Sequence, residues 1–125
     1  MNWVLFEYPR CTTCKRAKAF LDKQEFPVEV RHIVEEPPSV EDLRTWIEAS
    51  RLPWKKFFNT SGMKYRALGL KDVLAKDIPL DEVVGILASD GMLIKRPLLV
   101  DKENPQNILL GFKEEEWQAL FNRLQ

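Results

Sequence analysis

FEYPRCTTCKRAKAFL, residues Phe6 to Leu21, decides how the rest of the chain is read. The apolar run Trp3, Val4, Leu5 and Phe6 predicts a strand, and Pro9 ends it by removing an N–H that a continuing sheet needs. A basic helical pattern follows Cys14, so the order strand, short loop, helix puts Cys11 and Cys14 in a helix's first turn. A helix N-terminus presents unsatisfied N–H groups and about half a positive charge, which favours an anion. Thr12 or Thr13 suits the helix start, and Arg10, Lys15 and Arg16 add positive field. The thiolate is the reactive form of cysteine, and each of these effects favours it at Cys11. Cys14, three residues on, is placed to attack a mixed disulfide on Cys11 and resolve it.

The remaining composition narrows the classes. A chain of 125 residues is one domain's worth, and a hydrophobic share of 45% excludes a mainly disordered polymer. Nineteen basic residues cancel nineteen acidic ones, so no global field argues for direct DNA binding or for a membrane surface. Neither a signal-peptide pattern nor a stretch of membrane-spanning length is expected, and two cysteines without a secretory signal predict the cytoplasm. There, a structural disulfide is disfavoured. Four-coordinate zinc needs more ligands than Cys11, Cys14 and the single histidine, His32, so no metal is expected. C-x-x-C beside a βαβ pattern reads instead as a redox motif.

Along the chain, Asn2 to Tyr8 is the first strand and Thr12 to Gln24 the first helix, with Ala17, Phe20 and Leu21 inward. Val28 to Ile33 alternates as a second strand, which suggests a right-handed parallel crossover; His32 takes a surface or satisfied polar position. Ser39 is an N-cap for a helix to about Ser50 carrying Leu43, Trp46 and Ile47. Pro53 to Phe58 is a short segment, Asn59 to Gly62 a turn, Met63 to Leu70 helical, and Pro79 to Ala88 another helix. Residues 39 to 90 therefore form a helical insertion packed on one domain, 1–125. Leu98 to Val100 and Ile108 to Leu110 read as a hairpin, and Lys113 to Leu124 as an amphipathic helix with Trp117, Leu120, Phe121 and Leu124 inward. The sum is an α/β, thioredoxin-like order, βαβ then ββα, with the insertion between the second and third strands. In such a sheet the Arg96–Pro97 loop faces the cysteine loop, a cis bond there costs about 0.5–1 kcal/mol, and Arg96 offers a guanidinium fork to an oxyanion.

Cys11-Thr12-Thr13-Cys14-Lys15, Glu36-Pro37-Pro38-Ser39, Phe57 to Gly62, Tyr65, Leu68-Gly69-Leu70, Ile94-Lys95-Arg96-Pro97 and Leu110-Gly111-Phe112 together resemble the ArsC family. That family includes glutaredoxin-linked arsenate reductases and the Spx transcriptional regulators, and the resemblance is closest to its YusI-like branch. It implies that Cys11 is the nucleophile and that Arg96 stands beside a cis-proline, here Pro97; with Cys14 as the second catalytic thiol, Arg10, Thr12, Thr13, Lys15, Ser61 and Pro97 are the residues expected at the substrate. It further implies reduction of a small oxyanion such as arsenate, or of a disulfide, with Cys14 or glutathione and glutaredoxin (or thioredoxin) completing the cycle and no bound cofactor. The alternative it carries is an Spx-like regulator that uses the cysteine pair as a switch and binds RNA polymerase through the C-terminal domain of the polymerase α subunit. This chain departs from the reductases' three anion-binding arginines: one matches Arg96, Asn59-Thr60-Ser61 stands near a second, and nothing basic is expected at Gly111-Phe112, near the third. Each missing charged hydrogen bond forfeits roughly 1.5–3 kcal/mol of anion binding unless Arg10, Lys15, Lys64 or Lys95 substitutes.

Overall fold

Strand β1, Trp3–Glu7, has every residue buried, because it lies inside a sheet covered on both faces. The computed structural model describes residues 2–125. Its sheet has four strands in the order β2-β1-β3-β4, with β2 at Glu29–His32, β3 at Leu98–Asp101 and β4 at Ile108–Leu110. β1 runs parallel to β2 and antiparallel to β3, and β3 runs antiparallel to β4. Side chains of a strand alternate between faces. Val4, Phe6, Leu98 and Val100 therefore enter one apolar layer, and Trp3, Leu5 and Leu99 the other.

The second layer is closed by α1, Thr12–Lys23, and α6, Glu114–Leu124. Phe20 meets Trp117 edge-on and packs against Phe121, and Phe26 stacks on Phe121 at 4.5 Å between ring centroids. Trp117 has no exposed surface, and its indole N–H donates to the Gly111 carbonyl at 3.1 Å. The first layer is covered by the residues between β2 and β3. These form α2 (Val40–Ser50), a 3-10 turn at Trp54–Phe57, α3 (Met63–Ala67), α4 (Leu70–Leu74), α5 (Leu80–Ser89) and a second 3-10 turn at Gly91–Leu93. Ser39 caps α2, its hydroxyl accepting the Asp42 N–H at 3.0 Å, and α5 packs along α2.

The thioredoxin-like α/β order is thus present, with three differences in detail. The helix expected from Met63 to Leu70 is two, because Gly69 takes φ +63, a left-handed conformation that breaks the helix and starts α4. α1 starts at Thr12, as expected, but its cap is Cys11 itself, whose sulfur accepts the Cys14 N–H at 3.2 Å in the part a hydroxyl would play. The segment after α2 also pairs with the residues just after the second 3-10 turn, through the isolated bridge Phe58–Ile94, with Asn59 N–H donating to Leu93 O and Lys95 N–H to Phe57 O, each at 2.8 Å.

Candidate active site

The registers Phe6–Leu98 and Leu98–Leu110 bring the end of β1, the start of β3 and the end of β4 to one side of the sheet. β1 ends in a tight turn in which the Cys11 N–H donates to Tyr8 O at 2.9 Å. Opposite it, the Arg96–Pro97 peptide bond is cis, and Pro97 O accepts the Gly111 N–H at 2.9 Å. The Phe58–Ile94 bridge adds Asn59 to Gly62 as the fourth wall. Between these segments lies a cleft of about 380 Å³ bordered by Cys11, Thr13, Asn59, Ser61, Lys95, Arg96, Phe112 and Lys113.

The two cysteines differ sharply. Both are free thiols, Cys11 half-buried and Cys14 with no exposed surface. Burial pushes the Cys14 thiol up from its ordinary 9.0 to about 12. Its hydrogen bond to Cys11 acts in the same direction, a hydrogen bond with the Tyr8 backbone opposes both, and the electrostatics of Cys11 and Glu7 add lesser upward effects. Glu7 is itself buried and pairs with Lys18 at 3.3 Å. Cys11 stands at the positive end of the α1 dipole with the Cys14 N–H aimed at its sulfur, so the pair combines an accessible sulfur with a buried thiol.

One expected outcome follows directly. The Cys14 thiol is raised in the folded state, so its contribution to stability is complete below 9.0 and is lost as pH rises toward about 12. Urea midpoints on either side of 9.0 will fall more steeply for the wild type than for Cys14→Ala. Parallel slopes would show that Cys14 titrates as an exposed thiol does.

Arg96 is the other half of the site. Its guanidinium lies 5.3 Å over the Tyr8 ring, and Tyr8 in turn meets the edge of His32 at 5.5 Å. Its Nε and Nη1 atoms are buried and have no hydrogen-bond partner. Buried guanidinium donors without a partner are costly, and Arg96 is one of the residues that border the cleft. His32 takes the satisfied position expected, its Nδ1 accepting the N–H groups of Val34 at 3.1 Å and Glu35 at 3.2 Å.

Of the residues expected at the substrate, Thr13, Ser61 and Pro97 lie at or beside the cleft, whereas Arg10, Thr12 and Lys15 are exposed and do not border it. On α1 the positions bordering the cleft are Cys11 at the cap and Thr13 in the first turn, so Thr12 and Lys15 lie elsewhere on the helix, and Arg10 is exposed in the turn before it. Lys64 is not a substitute cation either, being paired with Asp90 at 3.2 Å. The expectation that nothing basic stands at Gly111-Phe112 is corrected. Gly111 turns the chain with φ +76, the adjacent Lys113 borders the cleft, and Lys95 lies so close that a Cβ on Gly111 would meet its Cε at 3.0 Å. Tyr8, under the Arg96 guanidinium, and Asn59 and Lys113, at the cleft, are not among the residues expected at the substrate, although Asn59 lies in the Phe57 to Gly62 motif. For Lys113 the one sequence hint is Gly111, two residues earlier, a residue type suited to a left-handed turn.

A βαβ–ββα sheet with a cysteine capping its first helix and an Arg–cis-Pro step facing that cysteine defines the thioredoxin-like class of α/β proteins. Within that class the chain belongs to the ArsC family, whose model matches residues 6–120. It is 48% identical over 118 residues to protein YusI of Bacillus subtilis strain 168, across 94% of this chain and 97% of YusI. It is 26% identical over 120 residues to the global transcriptional regulator Spx of Enterococcus faecalis, across 96% of this chain and 86% of Spx. The crystal structure of a candidate arsenate reductase from Streptococcus mutans UA159 superposes with a TM-score of 0.82 at 48% identity, covering 93% of this chain and 97% of that one. The chain is therefore related both to arsenate reductases and to Spx regulators. Among the described residues no cluster of three or more His, Cys, Asp or Glu could hold a metal ion, and no helix is long and apolar enough to cross a membrane.

Proposed function

We propose that the chain is a thiol-dependent reductase in which Cys11 attacks a small oxyanion, arsenate being the nameable case, or a disulfide. The observation that carries this is that Arg96, with two guanidinium nitrogens left without a partner, borders the same cleft as Cys11. Lys95 and Lys113 supply positive charge where the family's other arginines are missing, so the cleft still suits an anion. With a disulfide, the Cys11 thiolate takes one sulfur into a mixed disulfide and the other leaves as a thiolate. A second thiolate then attacks Cys11 Sγ or its partner to release the adduct. A thiol titrating near 12 is ionised in only about one molecule in 10⁵ at neutral pH, so Cys14 is a poor resolver while buried. That favours an external thiol such as glutathione, passed on by a glutaredoxin or thioredoxin, as the first resolver.

The test is steady-state reduction with glutathione and glutaredoxin, arsenate and a mixed disulfide being tried in turn. Arg96→Gln should raise KM for the anion by roughly 10- to 150-fold, the equivalent of about 1.5–3 kcal/mol for one charged hydrogen bond, and leave a neutral disulfide little affected. An unchanged KM for the anion would remove Arg96 from the site. The likeness to Spx and the second cysteine favour one other reading, a redox-sensing regulator. Capture of the RNA polymerase α subunit in one redox state and not the other, without turnover, would select it.

A further inference from the structure

We propose that the groove beside β4 docks an extended, acidic segment of the protein whose thiol or disulfide reacts with Cys11. This rests on the reductase reading for what the partner does, and on separate observations for where it binds. A groove of about 590 Å³ is lined by Ile108, Leu109 and Leu110 in succession, with the 3-10 turn at Trp54–Phe57 on one side and α6 on the other. Successive strand residues point to opposite faces, so a groove that meets all three runs along the strand's edge. β4 is the last strand of the sheet and has β3 as its single neighbour. Asn107 O accepts the Asp101 N–H at 3.1 Å and the Gly111 N–H donates to Pro97 O at 2.9 Å. Positions 107 and 111 thus turn toward β3, and the alternation of an antiparallel ladder turns the main-chain groups of Ile108 and Leu110 outward, into the groove.

Charge on the strand is one common guard of a sheet edge, and the three residues of β4 carry none. The charge stands on the banks instead: Lys55, Lys56, Lys95, Lys113 and Arg123 line the groove against one acid, Glu116. In a chain of zero formal net charge this is a local concentration of positive field. Outward N–H and C=O groups, an apolar floor that includes Leu52 and Phe58, and cationic banks match an added β-strand whose side chains alternate acidic and apolar. A nucleic acid would use the cations but leave the strand edge and the apolar floor unmet. Lys95, Leu110 and Lys113 border both this groove and the Cys11 cleft, so a strand laid along β4 leads to the sulfur.

The probe is a fluorescein-labelled decapeptide alternating Asp or Glu with Val or Leu. A lysine-for-acid version and a decathymidylate serve as comparisons, all read by fluorescence anisotropy on the reduced wild-type protein. The acidic peptide should bind at least about tenfold tighter than either comparison at low salt, weaken as salt rises, and lose about tenfold in Lys55→Glu/Lys56→Glu. Equal binding of the two peptides, or oligonucleotide binding as tight as the acidic peptide's, would overturn the docking site. Next, each peptide carries a terminal cysteine as its mixed disulfide with 2-nitro-5-thiobenzoate. The Cys11 thiolate attacks the peptide sulfur, the old S–S bond breaks, and coloured thionitrobenzoate leaves with no net oxidation. Capture of the acidic peptide should be at least about tenfold faster than of the lysine peptide, measured against hydroxyethyl disulfide as a neutral reference. Tight docking with no such preference would overturn the link to Cys11. Failure of Cys11 to react with any disulfide would instead sink the disulfide branch of the reductase reading and with it the link to Cys11, while the anisotropy result still decides the groove.

Discussion

Cys11→Ser is expected to lower substrate reduction by on the order of 10³-fold or more while leaving the unfolding transition almost unmoved. The chemical loss follows from replacing a polarisable sulfur that ionises readily with a hydroxyl that does not. The retained stability follows from geometry. Cys11 is the N-cap of α1 and its Sγ accepts the Cys14 N–H, a contact that a serine hydroxyl makes at least as well. Cys11→Ala is the informative companion. It removes the same chemistry but also the cap, and should cost a further ~1 kcal/mol of folding stability. Activity assays and urea unfolding on the two variants separate the roles. Retention of turnover in Cys11→Ser would end the assignment of Cys11 as nucleophile, and equal stability of the two variants would end its role as cap.

Gly91→Ala is expected to destabilise the fold by about 4 kcal/mol, a large part of the 5–15 kcal/mol typical of a domain. Gly91 is buried in the 3-10 turn after α5. A Cβ there would lie 2.0 Å from the Ile33 carbonyl oxygen and 2.7 Å from its carbon. Both are main-chain atoms following β2, held by the Ile33 N–H donating to Glu7 O at 2.9 Å, so no flexible side chain can yield. Gly85 provides the control. It is exposed inside α5 with nothing within 4 Å of an added Cβ, so Gly85→Ala should stabilise by roughly 0.5–1 kcal/mol through helix propensity and chain entropy. Urea midpoints that move alike for the two alanines would show that the approach of the turn to Ile33 is not rigid.

The sequence made local and periodic features legible. β1, α1, the Ser39 cap, the Ile108–Leu110 return strand and α6 all follow from alternation, helical spacing or a capping residue within a few positions. The pairing of Cys11 with the Arg96–Pro97 loop was also legible, because strand order alone sets those loops opposite each other. What escaped depends on contacts between distant segments or on one dihedral angle. The Phe58–Ile94 bridge joins positions on either side of three helices, and no local pattern marks it. Lys113 reaches the cleft through the left-handed turn at Gly111, whereas Lys15, nearer to Cys11 in the chain, is carried away on the outer face of α1. Tyr8 reads in the sequence as the end of a strand, yet it is the platform on which the Arg96 guanidinium rests.

Because the Cys14 sulfur has no contact with solvent, a thiol reagent meets it only in molecules whose first α1 turn has momentarily lifted. The ratio of its modification rate to that of an unstructured thiol is then an equilibrium constant for that excursion, obtained as amide exchange obtains it for an N–H. The molecule carries its own gauge of how often this corner breathes. A redox partner that loosens or tightens the turn would register on it before any product forms.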